Sequence, residues 1–429
     1  MSETAVDYHP MWTSLGLNLE NHDALLSILG RLYGDTFMTQ KNRPEGMSYF
    51  DFVMSEVHGL RVKELMDAKA AGKKVVGTYC TFVPEELVLA TGGIMVGLCA
   101  GADFATDEAE KLLPRNTCAL IKSTFGFKLG GVCPYIEASD LIVGENTCDG
   151  KKKAYETLAG LVNEFYAMDM PQTKSPQGRA LLKAEYLTFK EKMELLSGTV
   201  ITVESLRKAT AVVNNKRRAV QRLARLRAAD PAPVSGLDAL LINQVFFYDD
   251  PERFTGSVNA ICDELEKSIS DGTGVTPTGT PRILISGCPM AAPNWKVPAT
   301  VEGLNAVIVG EESCIGERGS RGLTNTEAIT VDGLIDHLVD RYMEIDCAIF
   351  TPNGDRLDHI KEMVNEYRAD GVLLYGLNFC TPYLMEGLGI EKQLEASGIP
   401  ALRIETDYSQ EDTGQLTTRI EAFIERISG

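Results

Sequence analysis

Short apolar runs that alternate with helical patterns fill two blocks of this chain, and the stretch between the blocks has none. KVVGTYC, EELVLATGG, IMVGLCAG and DLIVGENTCDG form the first set; RILISGCP, AVIVGEESC, CAIFTP, DGVLLYGLNFC and ALRIETD form the second. Near-continuous apolar runs separated by helices are the pattern of parallel strands covered on both faces. The expected fold class is therefore α/β, with two flavodoxin-like, parallel-sheet domains. From about 152 to 270 the strand signals stop, and helical stretches such as ITVESLRKATAVVNNKRRAVQRLARLRAA take over. The Gly-, Thr- and Pro-rich segment SDGTGVTPTGTPR at 270–282 then reads as a boundary. Ahead of the first block, Phe52, Val53, Val57, Leu60 and Leu65 recur at helical spacing from Tyr49 to Ala71, with Gly72 ending the helix. The expected organisation is an N-terminal helical region (1–72), a first α/β domain (73–170), a helical bridge (171–270) and a second α/β domain (280–429), closed by the amphipathic QLTTRIEAFIERI.

At 429 residues, two or three domains are the sensible expectation. A formal charge of −18 opposes nucleic acid and anionic membrane surfaces, because binding either requires clustered cations. The N-terminus MSETAVDYHP has no basic segment leading into an apolar one, and no apolar stretch spans about 18 residues. A cytoplasmic protein is expected. Its ten cysteines are too sparse for a disulfide scaffold, so their placement carries the information.

Six of them fall at strand exits or in the loops beyond: Cys80, Cys118 and Cys148 in the first half, Cys288, Cys314 and Cys380 in the second. The carboxyl ends of strands are where open α/β sheets build sites. Soft thiolates converging from separate loops suit an iron–sulfur cubane, and three protein ligands leave one iron open. Zinc would call for closely spaced Cys pairs, which are missing. Cys99, Cys262 and Cys347 sit inside apolar patterns and read as core. Cys133, in GGVCPYIEASD, has no counterpart in the second half and stays open as a ligand in place of Cys118.

Neither G-x-x-x-x-G-K-[ST] nor a strand-borne G-x-G-x-x-G occurs, so energy coupling through ATP falls to another protein. GFKLGG and GERGSRG read as close-packing loops before anion cradles. The basic run Lys216, Arg217, Arg218, Arg222, Arg225 and Arg227 reads as the solvated face of an amphipathic helix, with docking of an acidic partner as its alternative. Glu85, Glu86, Asp149 and Tyr383 neighbour the cysteines and are candidate proton donors by adjacency alone.

Taken together, GTYCTFVPEELVLATGG, DLIVGENTCDGKKKAYE, NNKRRAVQRLARLR, ILISGCPM, EESCIGERG and LNFCTPYLMEG resemble the 2-hydroxyacyl-CoA dehydratase and benzoyl-CoA reductase superfamily from about residue 45 onward. Six candidate ligands in one chain resemble its double-cubane cluster proteins. That resemblance implies two 4Fe-4S cubanes sharing a bridging sulfide, one on Cys80, Cys118 and Cys148 and the other on Cys288, Cys314 and Cys380. It further implies a homodimer, an ATP-hydrolysing iron–sulfur activator and a small-molecule substrate reduced at low potential. The alternatives are a dehydratase-type subunit with one cluster acting on an acyl-CoA, and a non-catalytic electron carrier.

Overall fold

The computed structural model describes residues 6–429. It contains two four-stranded parallel sheets. The first comprises β1 (Val75–Thr78), β2 (Ile94–Gly97), β3 (Leu141–Glu145) and β4 (Phe165–Met168) in the order β2-β1-β3-β4. The second comprises β5 (Arg282–Gly287), β6 (Val307–Glu312), β7 (Gly371–Leu377) and β8 (Ala401–Thr406) in the order β6-β5-β7-β8. Both repeat the first four positions of the flavodoxin-like order, confirming the α/β class. Every residue of β1, β3, β5, β6 and β7 is buried, which is why these strands are mostly apolar rather than alternating, with their polar residues, such as Arg282, Glu311 and Glu312, near the strand ends.

The strand expectations needed three corrections. EELVLATGG is the helix Glu85–Ala90, not a strand, since Pro84 opens it and acidic residues fill its first turn. CAIFTP is irregular and supplies loop residues to the site. β4 went unanticipated because its run, FYAM, is short and half-exposed. The single helix expected from Tyr49 to Ala71 is two, Met47–Ser55 and Leu60–Ala70. They break where Glu56 turns back to accept the Leu60 amide at 2.9 Å.

Helix Val203–Leu226, capped by reciprocal Thr202 and Ser205 bonds, holds the two halves together. Its basic residues correct the solvated-face reading. Arg218 and Arg225 are exposed and Arg222 is half-buried, but Lys216, Arg217 and Arg227 are buried. Lys216 pairs with Glu85 at 2.9 Å and Arg217 with Glu86 at 2.9 Å, both in the helix after Cys80; Arg227 pairs with Glu311 of β6 at 2.5 Å. Buried charges of this kind are tolerated only when paired. One helix therefore clamps an acidic element from each half, leaving Glu85 and Glu86 committed to structure rather than free for proton transfer. The glycines of GERGSRG do pack closely, because a Cβ on Gly316 would collide with the Glu311 backbone.

Candidate functional site

The carboxyl edges of both sheets and their following helices deliver cysteines to one place. Cys80 lies just past β1, Cys148 past β3, Cys288 next to β5, Cys314 past β6 and Cys380 past β7. Cys118, Cys148 and Cys380 are the capping residues that precede helices Ala119–Leu129, Asp149–Leu158 and Thr381–Ala396. The positive end of a helix dipole favours a thiolate over a thiol. Gly287 makes the Cys288 exit possible: its φ is 148°, and a Cβ there would fall inside the Tyr375 carbonyl.

All six cysteines expected at the site line a single cavity of about 100 Å³. Cys99 and Cys347, read from the sequence as core, line it too, bringing its thiols to eight. Nothing local to their apolar runs could have shown this; it follows from the loops after β2 and at 347–352 closing over the same space. Cys262 is core as expected. Cys133 lines a different hollow and is absent from this one.

The thiols contact one another across the halves. Cys118 lies beside Cys380, and Cys380 beside Cys288; Cys80 lies beside Cys314, and all are free thiols. The Leu377 amide donates to the Cys288 sulfur at 3.4 Å. Two of these three thiol contacts join the halves. Cys148 joins Cys118 and Cys380 in lining an outer cleft of about 910 Å³, where Asp149, Lys153 and Glu386 also lie.

Charged groups surround the Cys80–Cys314 side. Arg318, buried, donates to the Cys314 sulfur at 3.5 Å and to the Tyr383 hydroxyl, while its Nε donates to Glu312 at 2.7 Å. The bond from Cys80, with Arg318 behind it, holds the Cys314 thiol below its ordinary pKa. Arg356 lies 4.8 Å over the Tyr383 ring and also donates to Glu312. Lys151 lines the cavity and donates to the Tyr79 carbonyl at 3.3 Å. The Tyr79 and Thr81 hydroxyls and both Glu145 oxygens are buried without a hydrogen-bond partner. Burial pushes Glu145 up to about 7 against the pull of Lys151. Tyr383, a candidate by adjacency in the sequence, lines the cavity with its hydroxyl 3.7 Å from the Cys347 sulfur.

Among the described residues no three His, Cys, Asp or Glu side chains close on a point as a lone metal ion needs. The donors are instead soft thiols spread around a hollow, and unpaired donor hydroxyls line the same space. That set fits a sulfide-containing cluster better than a single cation.

The fold and cavity define a two-halved α/β protein that converges thiols from both sheets on one enclosed site. The chain belongs to the family described as 2-hydroxyglutaryl-CoA dehydratase, D-component, whose model matches residues 80–427, within the superfamily that includes benzoyl-CoA reductase. It is 40% identical to YjiM of Escherichia coli, named as a dehydratase subunit, over 85% of this chain and 94% of that one. It is 29% identical to the (R)-phenyllactyl-CoA dehydratase beta subunit of Clostridium sporogenes, over 83% of this chain and 92% of that one. With the beta subunit of (R)-2-hydroxyglutaryl-CoA dehydratase from Acidaminococcus fermentans it shares 22% identity, over 84% of this chain and 94% of that one. No helix among the described residues is long and apolar enough to cross a membrane.

Proposed function

We propose that this chain is an iron–sulfur oxidoreductase holding a double-cubane cluster, two 4Fe-4S units joined by a sulfide, on Cys80, Cys118, Cys148, Cys288, Cys314 and Cys380. The observation that carries this reading is the convergence of thiols from both halves on one cavity. One unit would rest on Cys80, Cys118 and Cys148 and the other on Cys288, Cys314 and Cys380, and the closeness of Cys118 to Cys380 and of Cys80 to Cys314 brings the two triplets together. When bound, such a cluster supplies one-electron reduction at low potential and an iron site open to a small molecule.

The chain's own residues prepare that site. Three helix N-termini present Cys118, Cys148 and Cys380 to the site. Arg318 donates to the Cys314 sulfur, and hydrogen bonds to ligating sulfurs raise a potential by stabilising the added electron. The Tyr383 hydroxyl, polarised by Arg318, holds a proton at the cavity edge. Electrons come from an ATP-hydrolysing iron–sulfur activator, since this chain lacks a nucleotide cradle of its own, and the outer cleft at Cys118, Cys148 and Cys380 is where they enter. The protein works as a cytoplasmic homodimer, with cluster-bearing domains at 73–170 and 280–429.

The names of its relatives favour a second reading, a dehydratase-type subunit with one 4Fe-4S cluster acting on an acyl-CoA. Iron and acid-labile sulfide per chain of anaerobically purified protein separate the two. About eight irons, falling sharply in both Cys148→Ala and Cys288→Ala, supports the double cubane; about four supports the dehydratase subunit. Iron-free protein never exposed to air would end both.

A further inference from the structure

A second hollow of about 420 Å³ lies between the N-terminal helices and the first sheet, and it abuts the thiol cavity. Gly97, Cys99, Tyr248 and Ala292 line both, so one layer of residues separates them. At its far end Gly30 and Ser55 are exposed. The hollow therefore runs from the surface, between helices Leu19–Thr36 and Met47–Ser55, to the wall of the cysteine site.

Its chemistry differs from that of the outer cleft. Among the described residues no Asp, Glu, Lys or Arg lines it; Leu26, Leu29, Val57, Phe127 and Trp295 are among its apolar walls. The titratable groups facing it are His58, Cys99, Cys133 and three tyrosines. Burial, with His22 opposite, holds the His58 imidazole neutral, down to about 3, and burial pushes Cys133 up to about 11. The dividing wall is tied by backbone bonds, Gly97 N–H to Phe247 O at 2.8 Å and Gly101 N–H to Ala292 O at 3.0 Å. Tyr248 is secured there by one hydroxyl bond, to the Cys99 carbonyl at 3.2 Å. A phosphate-bearing acyl carrier would find no cation in this chamber, whereas a neutral apolar molecule would meet only surfaces that favour it.

We propose that this chamber binds a small, uncharged, apolar molecule and passes it to the thiol cavity past Tyr248, so that substrate and electrons enter by separate openings. The proposal rests on the oxidoreductase reading for its purpose, though the chamber's occupancy is independent of it. The test uses anaerobically purified full-length protein. Crystals pressurised with xenon should show the gas between Leu29, Val57 and Tyr248, and Leu29→Trp should abolish that density. Gly30→Phe, at a position where an added Cβ meets nothing within 4 Å, keeps the fold while narrowing the mouth. In both variants carbon monoxide should reach the iron roughly tenfold more slowly, while reduction by dithionite stays within about twofold. Ordered water filling the wild-type chamber, or carbon monoxide entering both variants at the wild-type rate, overturns the proposal. Xenon bound in iron-free protein would instead leave the chamber standing and remove the oxidoreductase reading.

Discussion

Arg217→Met tests the clamp that holds the Cys80 element to the rest of the molecule. Arg217 is buried, sits 2.9 Å from Glu86, and also donates to Thr324 Oγ1 and the Tyr342 hydroxyl at 3.1 Å each. Glu86 is itself fully buried, and after the substitution Tyr342, donating at 2.9 Å, would be its main remaining partner. Removing one member of a buried pair leaves an uncompensated charge and costs about 3–5 kcal/mol. With an unfolding entropy of about 2.1 cal/mol/K per residue, a chain of 429 residues loses about 3–6 °C in Tm for that amount. Urea denaturation of anaerobic protein reads the free energy, and calorimetry the Tm. The double variant Arg217→Met/Glu86→Gln removes both charges and should recover most of the loss. A single variant within about 1 kcal/mol of wild type, or a double variant no better than the single, would refute the clamp.

Other outcomes follow from the same contacts. Gly287→Ala should cost roughly 3 kcal/mol or more and displace Cys288, lowering iron content along with the denaturation midpoint, because the new Cβ has backbone rather than a flexible side chain in its way. Arg318→Met should lower the reduction potential of a bound cluster, read by EPR-monitored titration, since it removes the donor to Cys314; an unchanged potential would count against that role. His22 and His58, 2.9 Å apart, are held at about 4 and about 3, well below the ordinary 6.5. Their folded-state values are depressed, so the unfolded chain binds the extra protons. Their contribution is complete above pH 6.5 and is lost as pH falls toward 4. Stability should drop by on the order of a few kcal/mol over that interval, and His22→Leu/His58→Leu should flatten the profile.

The apolar runs were enough to establish the α/β class and two parallel sheets, because a strand buried on both faces is apolar along most of its length. They could not separate a buried strand from a buried helix in EELVLATGG, where Pro84 and two glutamates decide the matter, nor reveal β4, whose exposed edge carries little apolar signal. Six of the cavity cysteines were legible from their positions at strand exits or, for Cys118, in a loop farther beyond. Cys99 and Cys347 were not, since a thiol in an apolar run looks the same whether it faces core or cavity. Charge told least: of the basic run, Lys216, Arg217 and Arg227 became buried clamps only because Glu85, Glu86 and Glu311 lie opposite them. Partner and burial are properties of three-dimensional placement, and so is the pairing of Cys118 with Cys380 across the two halves. Residue order alone dictates which segments form sheets and that thiols gather at their edges; the packing of one half against the other settles which thiols meet.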